Sequence, residues 1–263
     1  MEYVTQVFKE RLQEIRSYLK LLKKIEKQIQ NRLPQLGEDA TTITPEQQKI
    51  LYSSVYLQLY NLVESTVTLS LETLSKTIID KRLKPIELSP ELRFQWLKYI
   101  DSKNFDDLPI SELKDEWQQC MKEKPLRNSE YKNHFEPALK LYEYWISSTY
   151  ISEFKIKTDG GGNWDDEKIE QFMKKKLGFT LDISNKIKNS VKRPIRDNKG
   201  ALKLIKDLRN NLAHGDISFV QCSEEITVKD LRCLTILTTN YLKEFINCFQ
   251  EAIDSNSFLN SSE

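Results

Sequence analysis

Two long stretches of helical periodicity limit what this chain can fold into. From Val4 to Arg32, Val4, Val7, Phe8, Leu12, Ile15, Leu19, Leu22, Ile25 and Ile29 recur in steps of three and four. That spacing lays them along one side of an α-helix. Pro34 and Gly37 end the pattern, and the stretch from Gly37 to Ile43 is expected as a loop. Thr44-Pro45-Glu46-Gln47 then reads as an N-cap, a proline at the first helical position and a capping-box glutamine. The helix it starts is predicted to reach about Asp80, with Tyr52, Tyr56, Leu59, Val63, Val67 and Leu71 on a broad stripe. Two long helices joined by a short loop pack antiparallel. Only seven Gly and eight Pro interrupt 263 residues rich in Leu, Lys, Glu and Gln, so the fold class is all-α.

A third helix concentrates the polar chemistry. In Ala201 to Gly215, ALKLIKDLRNNLAHG, the residues Ala201, Leu204, Ile205, Leu208 and Leu212 form one apolar stripe. On a wheel of about 100° per residue centred on Leu208, Arg209, Asn210 and His214 bracket the opposite side. Gly215 follows as a C′ residue does and puts His214 in the last turn. A helix C-terminus favours a cationic imidazole, which suits a group that gives and recovers protons.

The remaining segments are shorter. Ser89-Pro90-Glu91 starts a helix through Trp96 to about Ile100, and further helices are expected over 111–121 and 131–145. The stretch 147–157 reads as weakly extended. Asp159-Gly160-Gly161-Gly162-Asn163 is a glycine-rich turn. It either cradles a phosphate with its N–H groups or is a plain loop with Asn163 as N-cap of a helix over 164–177. It lacks the Lys-Ser/Thr of a P-loop. A short helix is expected over 180–192, an extended segment at Ser218-Phe219-Val220, and a last helix from a Thr227/Asp230 cap to about Asp254. Leu231, Leu234, Leu237, Tyr241, Phe245 and Phe249 are its buried stripe, and Ser255 onward is expected to fray. Residues 1–263 therefore read as a single domain with a bundle core over about 1–80 and 160–255 and a helical elaboration over about 81–157.

Charge is unevenly distributed. Lys174 to Arg209 holds twelve Lys or Arg against three Asp, a local +9 in a chain of net charge +1, so the rest carries −8. Lys192, Arg193, Arg196, Lys199, Lys203 and Lys206 lead into the Arg209 helix and are candidate contacts to a nucleic-acid backbone. Cys120, Cys222, Cys233 and Cys248 form no CxxC pair, and with two His in the chain they suggest reduced thiols and no metal or other cofactor. No apolar run approaches the ~18 residues of a membrane span. The charged N-terminus has no apolar signal core, so a cytoplasmic protein is expected. Trp96, Trp117, Trp145 and Trp164 are expected in the core, with Trp164 exposed if the glycine turn leaves it open. His134 sits in no comparable constellation.

Arg209-Asn210-Asn211-Leu212-Ala213-His214 resembles the signature of the HEPN superfamily, an Arg, four to six residues, then a His, with a polar residue often following the Arg. Phe8 to Arg11, Leu59 to Ser65 and Gly162 to Asp165 are similar to a branch of bacterial HEPN-like nucleases. The resemblance implies a HEPN-type bundle of long antiparallel helices carrying an additional helical insertion. It also implies a metal-independent endoribonuclease in which Arg209, Asn210 and His214 act from two subunits of a homodimer on RNA, leaving a 2′,3′-cyclic phosphate and a 5′-hydroxyl. Such enzymes serve as toxins or anti-phage effectors, with an antitoxin or defence-system protein as partner. The same family includes non-catalytic members that dimerise and bind a nucleotide or a protein, and this alternative stays open at the level of sequence. Arg209 and His214 lie about 140° apart around their helix and ~7.5 Å along it, so one helix presents them on opposite flanks.

Overall fold

The computed structural model describes residues 1–29, 35–36, 41–101, 146–158 and 162–260. The helices expected over 111–121 and 131–145, with Cys120, His134, Trp117 and Trp145, lie outside these residues, as do Gly160 and Gly161. The fold is all-α. Helix α1 spans Glu2–Ile29 and α2 spans Pro45–Asp80. Between them, strands β1 (Gln35–Leu36) and β2 (Thr41–Thr42) pair antiparallel, with Gln35 opposite Thr42. Helix α3 spans Pro90–Asp101, and α4 spans Asp166–Phe172 and runs into a π turn over Met173–Leu177. Then follow α5 (Asn185–Lys192), α6 (Ala201–His214), the single turn α7 (Phe219–Cys222) and α8 (Val228–Asp254).

Helix α2 is the axis of the molecule. It packs against α1, α6, α7 and α8 at once. A helix in that position must be apolar or self-satisfied on all sides. Tyr52, Val55, Tyr56, Leu59, Leu62, Val63, Val67 and Leu74 are buried around most of its circumference. Three of its buried hydroxyls are bonded within the helix: Thr66 donates to the carbonyl of Leu62 at 2.7 Å, Ser70 to Thr66 at 2.8 Å and Ser75 to Leu71 at 3.0 Å. This i−4 bonding lets Ser and Thr face the core without leaving a donor unpaired. The expected capping box is present, with Gln47 N–H donating to Thr44 Oγ1 and Thr44 N–H to Gln47 Oε1. Thr227 and Asp230 form another at the start of α8.

Several local expectations need correction. Asp165, not Asn163, is the N-cap of α4, and Asn163 adopts a left-handed backbone. Ser218-Phe219-Val220 is not extended, because Ser218 and Gln221 form a capping box that starts α7. The 180–192 segment becomes helical only at Asn185. The C-terminal tail does not fray up to Asn260. Phe258 is fully buried, its carbonyl accepts the Ser89 N–H at 2.9 Å, and Asn260 N–H donates to Glu87 at 2.8 Å. Residues 151–158 carry no regular structure, yet Ile151, Phe154 and Ile156 are buried against the core, with Ile156 N–H donating to Ser75 Oγ.

Helix α6 is set in place by Gly200. A Cβ there would lie 2.4 Å from the carbonyl oxygen of Val191 and 3.0 Å from Lys192 Cα. Both are backbone atoms of the preceding helix and its end, which cannot swing aside. Gly200→Ala is therefore expected to destabilise the fold by about 1–3 kcal/mol, read as a lowered urea midpoint. A midpoint equal to wild type would show that this approach does not hold α6.

Candidate functional site

Ala201, Leu204, Ile205 and Leu208 are buried, as their stripe requires, and they seat α6 on α2. This leaves Arg209 on the shoulder facing α2, half-exposed. Its guanidinium lies over the Tyr60 ring, 4.3 Å from the centroid. Nη2 is 3.7 Å from Glu64 Oε2, and Nη1 donates to Asn210 Oδ1 at 2.9 Å. A ring face, a carboxylate and an amide thus fix a planar cation that stays partly exposed to solvent. Stacking over a ring and a half-exposed ion pair contribute roughly 1 kcal/mol each at most, so their main effect is orientation.

The support extends inward. Tyr60 is buried, and burial pushes its hydroxyl pKa above the ordinary phenol value. That hydroxyl accepts the backbone N–H of Trp164 at 3.2 Å. Trp164 is 1% exposed, with its indole edge-on to Phe172 at 5.2 Å between centroids. The next residue, Asp165, receives Lys168 N–H on Oδ1 at 2.8 Å and pairs through Oδ2 with Lys206 of α6. The Gly162–Asp165 turn is thereby fastened to α2 through Tyr60 and to α6 through Lys206. Gly162 has φ +91°, and a Cβ on it would lie 2.8 Å from Glu64 Oε1. Glycine there clears the space that the Glu64 carboxylate occupies while it faces Arg209.

His214 is exposed in the last turn of α6. Gly215 closes the helix at φ 77°, its N–H donating to the carbonyl of Asn211. Among the described residues, no hydrogen bond or ion pair joins His214 to Arg209 or Asn210. The fold therefore brings Arg209 and Asn210 together and holds His214 apart, on the other flank.

The six basic residues before Arg209 divide into two groups. Lys192, Arg193 and Lys203 are exposed. Arg196 donates to the carbonyl of Cys222 at 2.9 Å, Lys199 pairs with Asp207 at 2.7 Å, and Lys206 pairs with Asp165. The second group is engaged in holding the α5–α6 turn and the Gly162 turn. Trp164 is core rather than a base-stacking platform. Tyr60 and Glu64 received no role from the sequence, although they sit four apart on α2 and so share a face. Among the described residues no cluster of three His, Cys, Asp or Glu side chains could hold a metal ion, and no helix is long and apolar enough to cross a membrane.

The sequence matches the HEPN_MAE_28990-like HEPN family over residues 2–258. No curated protein and no solved structure matches. With nearly its whole length covered and an all-α bundle presenting Arg209 and His214 on one helix, the chain belongs to the HEPN_MAE_28990-like HEPN family.

Proposed function

We propose that this HEPN protein is a metal-independent endoribonuclease acting as a homodimer, in the cytoplasm, as a toxin or anti-phage effector under the control of a partner protein. The observation that carries this reading is Arg209, a partly exposed guanidinium oriented by Tyr60, Glu64 and Asn210, five residues from an exposed His214. Cleavage of RNA without a metal needs a base for the 2′-hydroxyl, a cation for the phosphoryl oxygens and an acid for the departing 5′-oxygen. A pair of imidazoles can supply the proton transfers. Arg209 binds the phosphoryl oxygens in bidentate fashion as negative charge accumulates there. The 2′-oxygen forms a bond to phosphorus, the bond to the 5′-oxygen breaks, and that oxygen leaves with a proton. The products are a 2′,3′-cyclic phosphate and a 5′-hydroxyl. One α6 helix spreads Arg209 and His214 over opposite flanks, and a two-fold axis beside it brings both pairs into one cleft.

Incubation of RNA with the protein in EDTA, followed by analysis of the new ends, tests this. Cyclic phosphate and 5′-hydroxyl ends are expected. The absence of any cleavage, together with a stable complex with a partner protein, supports the non-catalytic module instead. Lys192, Arg193 and Lys203 would steer the RNA backbone without sequence preference. Reversing the charges of Lys192 and Arg193 is expected to weaken RNA binding at low salt by about tenfold or more. Unchanged affinity in a filter-binding titration would remove them from the interface.

A further inference from the structure

A groove of about 420 Å3 with a mixed polar and apolar lining lies between α1 and α2. Its volume falls in the range of small-ligand sites, roughly 300–1,000 Å3. Tyr3 and Arg11 come from one stripe of α1, and Asn61, Glu64 and Thr68 face them from α2. Glu64 belongs to both places, lining this groove and standing 3.7 Å from Arg209. Tyr3 is 64% exposed, so its ring is open to solvent at the groove. Arg11 is fixed at the groove by donating to the carbonyl of Asn61 at 3.3 Å, which uses one of its five N–H donors. Asn61 keeps its side-chain amide exposed.

These groups suit the parts of a nucleotide. An exposed ring at the rim offers a stacking face for a base. A carboxylate and an amide on the wall accept from and donate to a base edge. A second guanidinium, that of Arg11, offers donors to a further phosphate. We propose that the α1–α2 groove is a base-binding subsite for the RNA nucleotide adjoining the phosphate held at Arg209, selecting bases that carry an amino group. The Glu64 carboxylate accepts from the exocyclic amine of cytosine, whereas uracil turns a carbonyl oxygen toward it. This proposal rests on the reading of Arg209 as the phosphate-binding residue.

The test uses the full chain and 2′-O-methyl pentanucleotides, which lack the attacking hydroxyl and so report binding without cleavage. Fluorescence anisotropy is expected to show pentacytidylate bound about tenfold tighter than pentauridylate. Tyr3→Ala should weaken both by about 5- to 150-fold, the loss of one stacked base. Glu64→Gln should remove the preference for cytosine. Failure of wild type to bind either oligonucleotide would overturn the subsite, as would Tyr3→Ala and Asn61→Ala binding like wild type with native circular dichroism. Tyr3→Ala that splits a dimer while affinity per protomer stays constant would make the groove a subunit contact and also overturn it. A wild-type protein that binds as expected but leaves natural RNA uncut refutes the nuclease and keeps the groove.

Discussion

Arg209→Ala and His214→Ala are each expected to lower the rate of RNA cleavage at saturating RNA by about 10²–10³-fold or more. Both variants should melt within a few degrees of wild type. The first expectation follows from differential binding. Arg209 has its donors fixed in place before RNA arrives, and they gain most when charge accumulates on the phosphoryl oxygens. Alanine removes that stabilisation, and the Tyr60 face and Glu64 carboxylate left behind repel a phosphate. The second follows because no other described imidazole stands at the site. Stability should barely change, since His214 is exposed and Arg209 is half-exposed, and contacts of these kinds contribute about 1 kcal/mol or less. The double variant should be little worse than either single one, as for groups that act as a unit. Initial rates in EDTA on one fluorescent RNA, with melting curves on the same preparations, measure all of this. A single variant cutting at the native rate would take that residue out of the chemistry.

Trp164→Ala is expected to cost about 3–5 kcal/mol of stability, a large part of the 5–15 kcal/mol typical of a folded protein. Trp164 is among the largest fully buried side chains, packed edge-on against Phe172 with the Lys168 ammonium 5.6 Å over its ring. Its loss leaves a cavity at the junction of α2, α4 and α6. The effect should reach the site, because the Trp164 backbone N–H holds the Tyr60 hydroxyl and the Tyr60 ring lies under Arg209. Cleavage by the molecules still folded should fall as well. Trp164→Phe keeps the backbone bond and most of the volume, and its loss should be well under half as large. Urea midpoints for the three proteins, with cleavage rates at urea concentrations where each is native, separate the two effects. A native midpoint for Trp164→Ala would show that the turn is not fastened through its indole.

The four long helices were legible because their apolar residues repeat with the helical period, and two of them, α2 and α8, start with capping boxes. Thr44/Gln47 and Thr227/Asp230 are local chemistry, visible in four consecutive residues. Arg209 and His214 were legible for the same reason, since a wheel places them off the stripe. What lay hidden is tertiary. That α2 is the axis depends on which helices surround it, and its hydroxyls disguise its burial until their i−4 bonds are seen. The roles of Tyr60 and Glu64 depend on α6 docking across that particular turn of α2. Lys206 read as one more cation of a basic face, because its carboxylate partner, Asp165, is 41 residues away in sequence. The π turn at Met173–Leu177 leaves an apolar pattern close to that of a plain helix. The burial of Phe258 follows from backbone pairing with Glu87 and Ser89, which no local pattern announces.

The homodimeric site is the claim on which the proposed chemistry depends. It is tested most directly by following cleavage rate per protomer and sedimentation through one dilution series in EDTA. Activity per protomer is expected to fall in step with the fraction of dimer and to vanish for the monomer. A sample shown by sedimentation to be monomeric, yet cutting RNA at an undiminished rate per protomer, would contradict it.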